Sequence, residues 1–216
     1  MGKLLKKEMK LTASPLSYWF ILFSFMTFLP GYPILVGGFF VCLGIFFTYQ
    51  QAVEYDDITF SALLPIRKKD VVKAKYAFVI IIQMISFVLS ALFTVLRMTL
   101  LSEAKVYLVN QMMNANLFYL GFLLLVFAVF NICFMKGFFK TAYRIGKPFI
   151  IFCIVVFLLI GFGEMLHHLP GMEALNSTSG TSLIQAFVLL FGIVIYVVQT
   201  LISMNSSERN FEKIDL

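Results

Sequence analysis

From residue 76 to residue 96 the chain carries no charged side chain. A helix of that length is roughly 30 Å long, which matches the hydrocarbon core of a bilayer. Similar apolar runs cover residues 17–29, 33–49, 117–135, 148–166 and 183–204, and only the fifth of the six runs, through Glu164, contains an Asp, Glu, Lys or Arg residue. No soluble core can absorb six such segments from 216 residues. Composition agrees: 61% of the residues are apolar and 13% are charged, against roughly half and a quarter in soluble domains. The expected fold is an all-α polytopic membrane protein with six transmembrane helices in a single domain over residues 1–216. Little chain remains for a soluble catalytic domain. Cys42, Cys133 and Cys153 each stand alone in an apolar stretch, without metal-ligand or disulfide spacing.

Charge then orients the spans. Lys3, Lys6, Lys7 and Lys10 precede the first span. Arg67, Lys68, Lys69, Lys73 and Lys75 precede the third. Lys136, Lys140, Arg144 and Lys147 separate the fourth from the fifth, and Arg209 and Lys213 follow the sixth. Only Arg97 and Lys105 fall on the opposite side. Fifteen basic residues against two put both termini in the cytoplasm by the positive-inside rule. The N-terminus lacks the small-residue cleavage site of a signal peptide. Pro30-Gly31-Tyr32-Pro33 marks a tight exterior hairpin, and residues 164–182 form an extracellular loop.

Residues 1–14 have the pattern of an interfacial helix. Lys3, Lys6, Lys7 and Lys10 cluster on one side of a helical wheel, with Leu4, Leu5, Met9 and Leu11 roughly opposite. Glu8 breaks that pattern by falling on the apolar side. Ser14-Pro15 then turns the chain into the first span.

The segment over residues 50–75 is too long and too apolar for a plain connection. It holds Glu54, an acidic Asp56-Asp57 pair, Leu64-Pro65, the cluster Arg67-Lys68-Lys69-Asp70, and Lys75-Tyr76. Leu64-Pro65 predicts a helix break, because the residue before proline is pushed out of the helical region. Arg67 to Asp70 then starts the helix that continues as span three. This pattern resembles the bacterial ABC-2 type permeases, and the six-span layout with a basic N-terminal helix extends the likeness over the whole chain. Lys7-Glu8-Met9-Lys10-Leu11, Pro30-Gly31-Tyr32-Pro33 and Leu64 to Val72 are similar to small permeases of peptide exporters, those of the phenol-soluble modulin exporter among them.

The resemblance implies a dimer, with a second copy or a paralogue, in which each subunit docks a cytoplasmic ABC ATPase. Glu54, Asp56, Asp57, Leu64, Pro65, Arg67, Lys68, Lys69 and Asp70 would then belong to a cytoplasmic coupling helix and its flank, and the basic N-terminal helix would be the elbow helix. Short re-entrant helices before the last span are also common in the family, and residues 161–171 have glycines and a proline suited to them.

Other chemistry finds little support. No Gly-x-x-x-x-Gly-Lys-Ser/Thr sequence occurs, so this chain is expected to be no enzyme and to bind no cofactor, ATP and Mg belonging to the partner. His167-His168 has no His-Glu-x-x-His context, and adjacent helical residues point about 100° apart. Ser86 and Ser90 share a face of span three and suit close helix approach. Gln83, Asn131, Gln185 and Gln199 suit interhelical hydrogen bonds. Twenty-six phenylalanines and eleven methionines can line a route for an amphipathic peptide or another lipophilic substrate, or face lipid. The function expected is the permease subunit of an ATP-driven exporter, with no nucleic-acid partner. The alternative is a structural or assembly membrane protein with no ATPase.

Overall fold

The computed structural model describes residues 2–63, 65–141, 144–178 and 182–214. Leu64 lies outside the described residues, as do Ser179, Gly180 and Thr181 of the loop after the fifth span. The described residues form helices and turns, with no strand. They are α1 (Gly2–Thr12), α2 (Pro15–Phe28), α3 (Val36–Glu54), α4 (Asp57–Leu63), α5 (Lys68–Thr99), α6 (Lys105–Leu108), α7 (Leu117–Phe139), α8 (Gly146–Leu166), α9 (Glu173–Asn176) and α10 (Leu183–Glu212). By length and composition α3, α5, α7, α8 and α10 can each cross a membrane, and a sixth crossing is counted if the bent pair α1 and α2 is taken together.

Local sequence explains the first bend. Ser14 precedes a proline and is extended, at ψ 137°. Pro15 opens α2, where a missing N–H costs nothing. The axes of α1 and α2 consequently meet at 96°. Beyond Trp19, α2 winds as a 3-10 helix for nine residues, Phe20–Phe28. Such runs are usually three or four residues long. The tighter winding gains about 0.5 Å of rise per residue, so α2 reaches about 25 Å instead of about 21 Å. Gly31 ends the segment in the left-handed region, φ 68°, and its N–H donates to Asn110 Oδ1 at 3.0 Å.

α7 is the central helix, apolar and buried around most of its circumference, whereas α8 and α10 each keep a broad apolar face outward. α7 and α10 cross at two glycines. A methyl group on Gly192 would stand 2.5 Å from the Gly121 carbonyl oxygen. Backbones approach this closely only where side chains are absent. The phenylalanines supply much of the core: Phe46 stacks on Phe149 at 3.9 Å between ring centroids, and Phe130, Phe134, Phe138 and Phe152 are fully buried.

Two expectations about the far end change. α8 continues without a break through Gly161 and Gly163 to Leu166, so residues 161–171 form a helix end and a turn instead of a re-entrant pair. His167 and His168 fall in that turn, where the 100° spacing of a helix no longer applies. Their rings lie 4.1 Å apart.

Candidate functional site

α1, α4 and the start of α5 meet at the end of the molecule that carries the termini, here named the basic end. The sequence sets up the meeting. α3 stops at Tyr55, and Asp56 takes a left-handed conformation, φ 51°, which aspartate tolerates better than most residues. Asp57 then opens α4, where a carboxylate faces the positive end of the helix dipole.

The Asp57 carboxylate bridges two lysines from different helices. Its Oδ1 accepts from Lys7 Nζ at 2.5 Å, and its Oδ2 accepts from Lys75 Nζ at 2.9 Å. Lys75 also donates to Glu8 Oε2 at 2.9 Å. Lys7 donates to Ser61 Oγ at 2.6 Å, and Thr12 Oγ1 donates to Asp57 at 3.3 Å. The side chains of Lys75 and Glu8 are 2% and 3% exposed, those of Asp57 and Lys7 13% and 15%. Isolated charges could not be buried this far. These four sum to zero and satisfy one another, so α1, α4 and α5 are held as one unit. Burial pushes the Asp57 carboxyl up, but Lys75 and Lys7 outweigh that effect and hold it below the usual range.

The residues singled out in the sequence divide into three groups. Asp57 and Lys7 join the buried cluster. Glu54, Asp56, Pro65 and Arg67 are exposed, with Tyr55 and Phe60 beside them. Arg67 pairs with Asp70 at 3.0 Å, Lys69 pairs with Glu212 at 3.2 Å, and Lys68 donates to the Ile214 carbonyl at 2.6 Å. Those last two contacts tie the start of α5 to the end of α10. Lys3, Lys6 and Lys10 stand exposed on α1. In the sequence Glu8 stands out only as an acid on the apolar side of α1, and Lys75 only as one of the basic residues before span three and in the Lys75-Tyr76 pair. The signal for Glu8 was its place on the apolar side of α1, which a buried ion pair explains.

A polar seam runs up the bundle from this end. Tyr76 Oη lies 2.7 Å from Ser203 Oγ and 2.8 Å from Ser207 Oγ. Ser203 donates to the Asn131 carbonyl. Asn131 exchanges hydrogen bonds with Gln83 at 3.0 and 3.2 Å and donates to Thr200 at 2.9 Å. Gln83 and Asn131 thus bridge helices, as expected. Ser86 faces Ser24 at 2.8 Å.

The opposite end is closed by amide side chains. Arg97, expected near a span end, is 3% exposed. It donates to the Thr27 carbonyl at 2.7 Å and to Asn114 at 3.0 Å, and it covers the Tyr107 ring at 4.0 Å. Asn116 donates to the Leu175 carbonyl and Gln185 to the Ala174 carbonyl, both at 2.8 Å.

The family model described as ABC-2 family transporter protein matches residues 3–212. The chain belongs to the ABC-2 family of transporter proteins. Searches of curated proteins and of solved structures found no match. Membership makes this chain a membrane transport component of a family that generally lacks its own ATPase motif, and it implies an ABC ATPase partner and a membrane environment.

Proposed function

We propose that this chain is the permease subunit of an ATP-driven ABC exporter, one permease domain that dimerises with a second copy or a paralogue. The basic end faces the cytoplasm, by the fifteen-to-two distribution of basic residues. α4 is the coupling helix, and its exposed Phe60, with Glu54, Tyr55 and Asp56 at the preceding turn, faces the ATPase. α1 is the elbow helix and lies along the membrane surface at 96° to α2. The observation that carries the reading is the two-sided Asp57 carboxylate. A displacement of α4 drags α1 through Lys7 and α5 through Lys75. Amphipathic peptides, as for phenol-soluble modulin exporters, or other lipophilic molecules fit the apolar faces as substrates.

The test is the complex with the ATPase encoded beside this chain. Asp57→Asn and a Leu64/Pro65/Arg67 triple alanine variant should keep the complex assembled yet reduce substrate-stimulated ATPase activity on the order of tenfold, because the loss falls on transmission and leaves the ATPase site untouched. Full stimulation in both variants would defeat the coupling assignment. Absence of any ATPase that co-purifies would defeat the permease reading itself.

A further inference from the structure

α7 and α8 meet at the basic end in a close crossing. A methyl group on Gly137 would stand 2.8 Å from Pro148 Cβ. Beside the crossing lies a cleft of about 320 Å³. Lys140, Arg144 and Lys147 line it from above, and Cys133 and Ile151 form its apolar floor. All three cations are exposed, and none makes an ion pair among the described residues. The sequence explains why: no Asp or Glu occurs between Glu103 and Glu164. At the same end Lys7, Arg67, Lys69, Lys73 and Lys75 each lie within 4 Å of a carboxylate, whereas Lys3, Lys6 and Lys10 on α1 also stand exposed without an ion pair among the described residues.

We propose that this cleft binds the phosphodiester headgroup of an anionic phospholipid. Three unneutralised cations around one cleft recruit a phosphate oxyanion. α8 begins at Gly146 with no acidic residue in its first turn, so its free N–H groups add to the same field. The floor selects a lipid over a free anion. Ile151 is 43% exposed, and the apolar stripe continues outward along α8 through Ile154, Val155 and Leu158, a track for an acyl chain. Basic clefts between helices at a membrane surface take such headgroups. The inference rests on the membrane environment and is independent of any ATPase, so the isolated permease tests it.

The experiment is native mass spectrometry of the purified full chain, titrated with phosphatidylglycerol or phosphatidylcholine in one detergent. The wild type should retain phosphatidylglycerol preferentially. Arg144→Gln with Lys147→Gln should weaken that retention by about 25-fold, since each basic side chain at a membrane surface strengthens anionic-lipid binding about fivefold. A charge-matched Lys69→Gln with Lys73→Gln variant should leave it unchanged. Ile151→Trp, which fills the cleft and keeps every charge, should weaken it too. Thermal midpoints in phosphatidylcholine show that each variant is folded. Three results overturn the proposal. They are no preference in the wild type, equal losses in the two charge-matched variants, and displacement of the lipid by millimolar inorganic phosphate, which would make the site one for a free anion.

Discussion

Lys7 and Lys75 are enclosed by Glu8 and Asp57 where α1, α4 and α5 meet, whereas Lys140, Arg144 and Lys147 at the α7–α8 crossing face a cleft without a carboxylate. Both groups count equally toward the charge bias on which the proposed orientation rests. Burial separates them. A lysine that is 2% exposed must bring its counter-charge with it, so the first group is a fixed, neutral joint between helices. The second keeps its field and its hydrogen-bond donors, so it is open to a ligand. A count of basic residues gives topology, and only the position of the acids tells a joint from a site.

The comparison is broken most severely at Lys75. Lys75→Met strands Glu8 and Asp57 around a missing cation. Removal of one partner from a buried ion pair costs about 3–5 kcal/mol, so thermal unfolding in mild detergent should move down by about 10 °C. Adding Glu8→Gln leaves Lys7 and Asp57 balanced and should recover part of that loss. A double variant no better than the single one would show that the four charges do not act as a unit.

At the other region, packing should count where charge does not. Gly137→Ala forces a methyl group against Pro148 and should cost about 1–3 kcal/mol, as overpacking usually does. Chemical unfolding reads this directly, and an unchanged midpoint would mean that α7 and α8 separate freely there.

Acid should also distinguish the regions. The Asp57 carboxyl titrates lower in the folded protein than its unfolded value near 3.8, so the unfolded chain binds the proton first as pH falls. The stabilisation from Asp57 is therefore complete above about pH 4 and is lost as pH drops through the lowered folded value. Unfolding midpoints between pH 6 and pH 3 should fall less steeply in Asp57→Asn than in the wild type, and parallel curves would remove Asp57 from the account. The smallest effect is expected for Arg144→Gln with Lys147→Gln, whose midpoint in a neutral detergent should stay within about 2 °C of wild type.

Much of the fold was legible because length and apolar content decide a span without reference to a partner. α5, α7, α8 and α10 appear where uncharged runs predict them, each longer than its apolar run, because the helices continue into their basic flanks. The helix start after Arg67 follows from local backbone restrictions, with Arg67 itself extended, while the expected break at Leu64 lies outside the described residues. The charge cluster was only half legible. Asp57 and Lys7 stood out by type, but Lys75 finds Glu8 at a separation of 67 residues, and no local pattern records such a pairing. The 3-10 winding of α2 was invisible, since hydropathy along Phe20–Phe28 is the same for either helix. The closeness of the two histidine rings was not legible, because α8 ends at Leu166, one residue before the pair.

The winding of α2 has a consequence for the lipid around it. Leu22, Phe25 and Leu29 keep about half of their surface outside the protein, so this short segment borders whatever fills the membrane there. Even stretched to about 25 Å, it falls about 5 Å short of the usual hydrocarbon thickness. The uncharged run of neighbouring α5, residues 76–96, is about 30 Å long. A bilayer that meets both must be thinner along α2 than along α5. Lipid beside α2 therefore meets a shorter apolar wall than lipid beside α5.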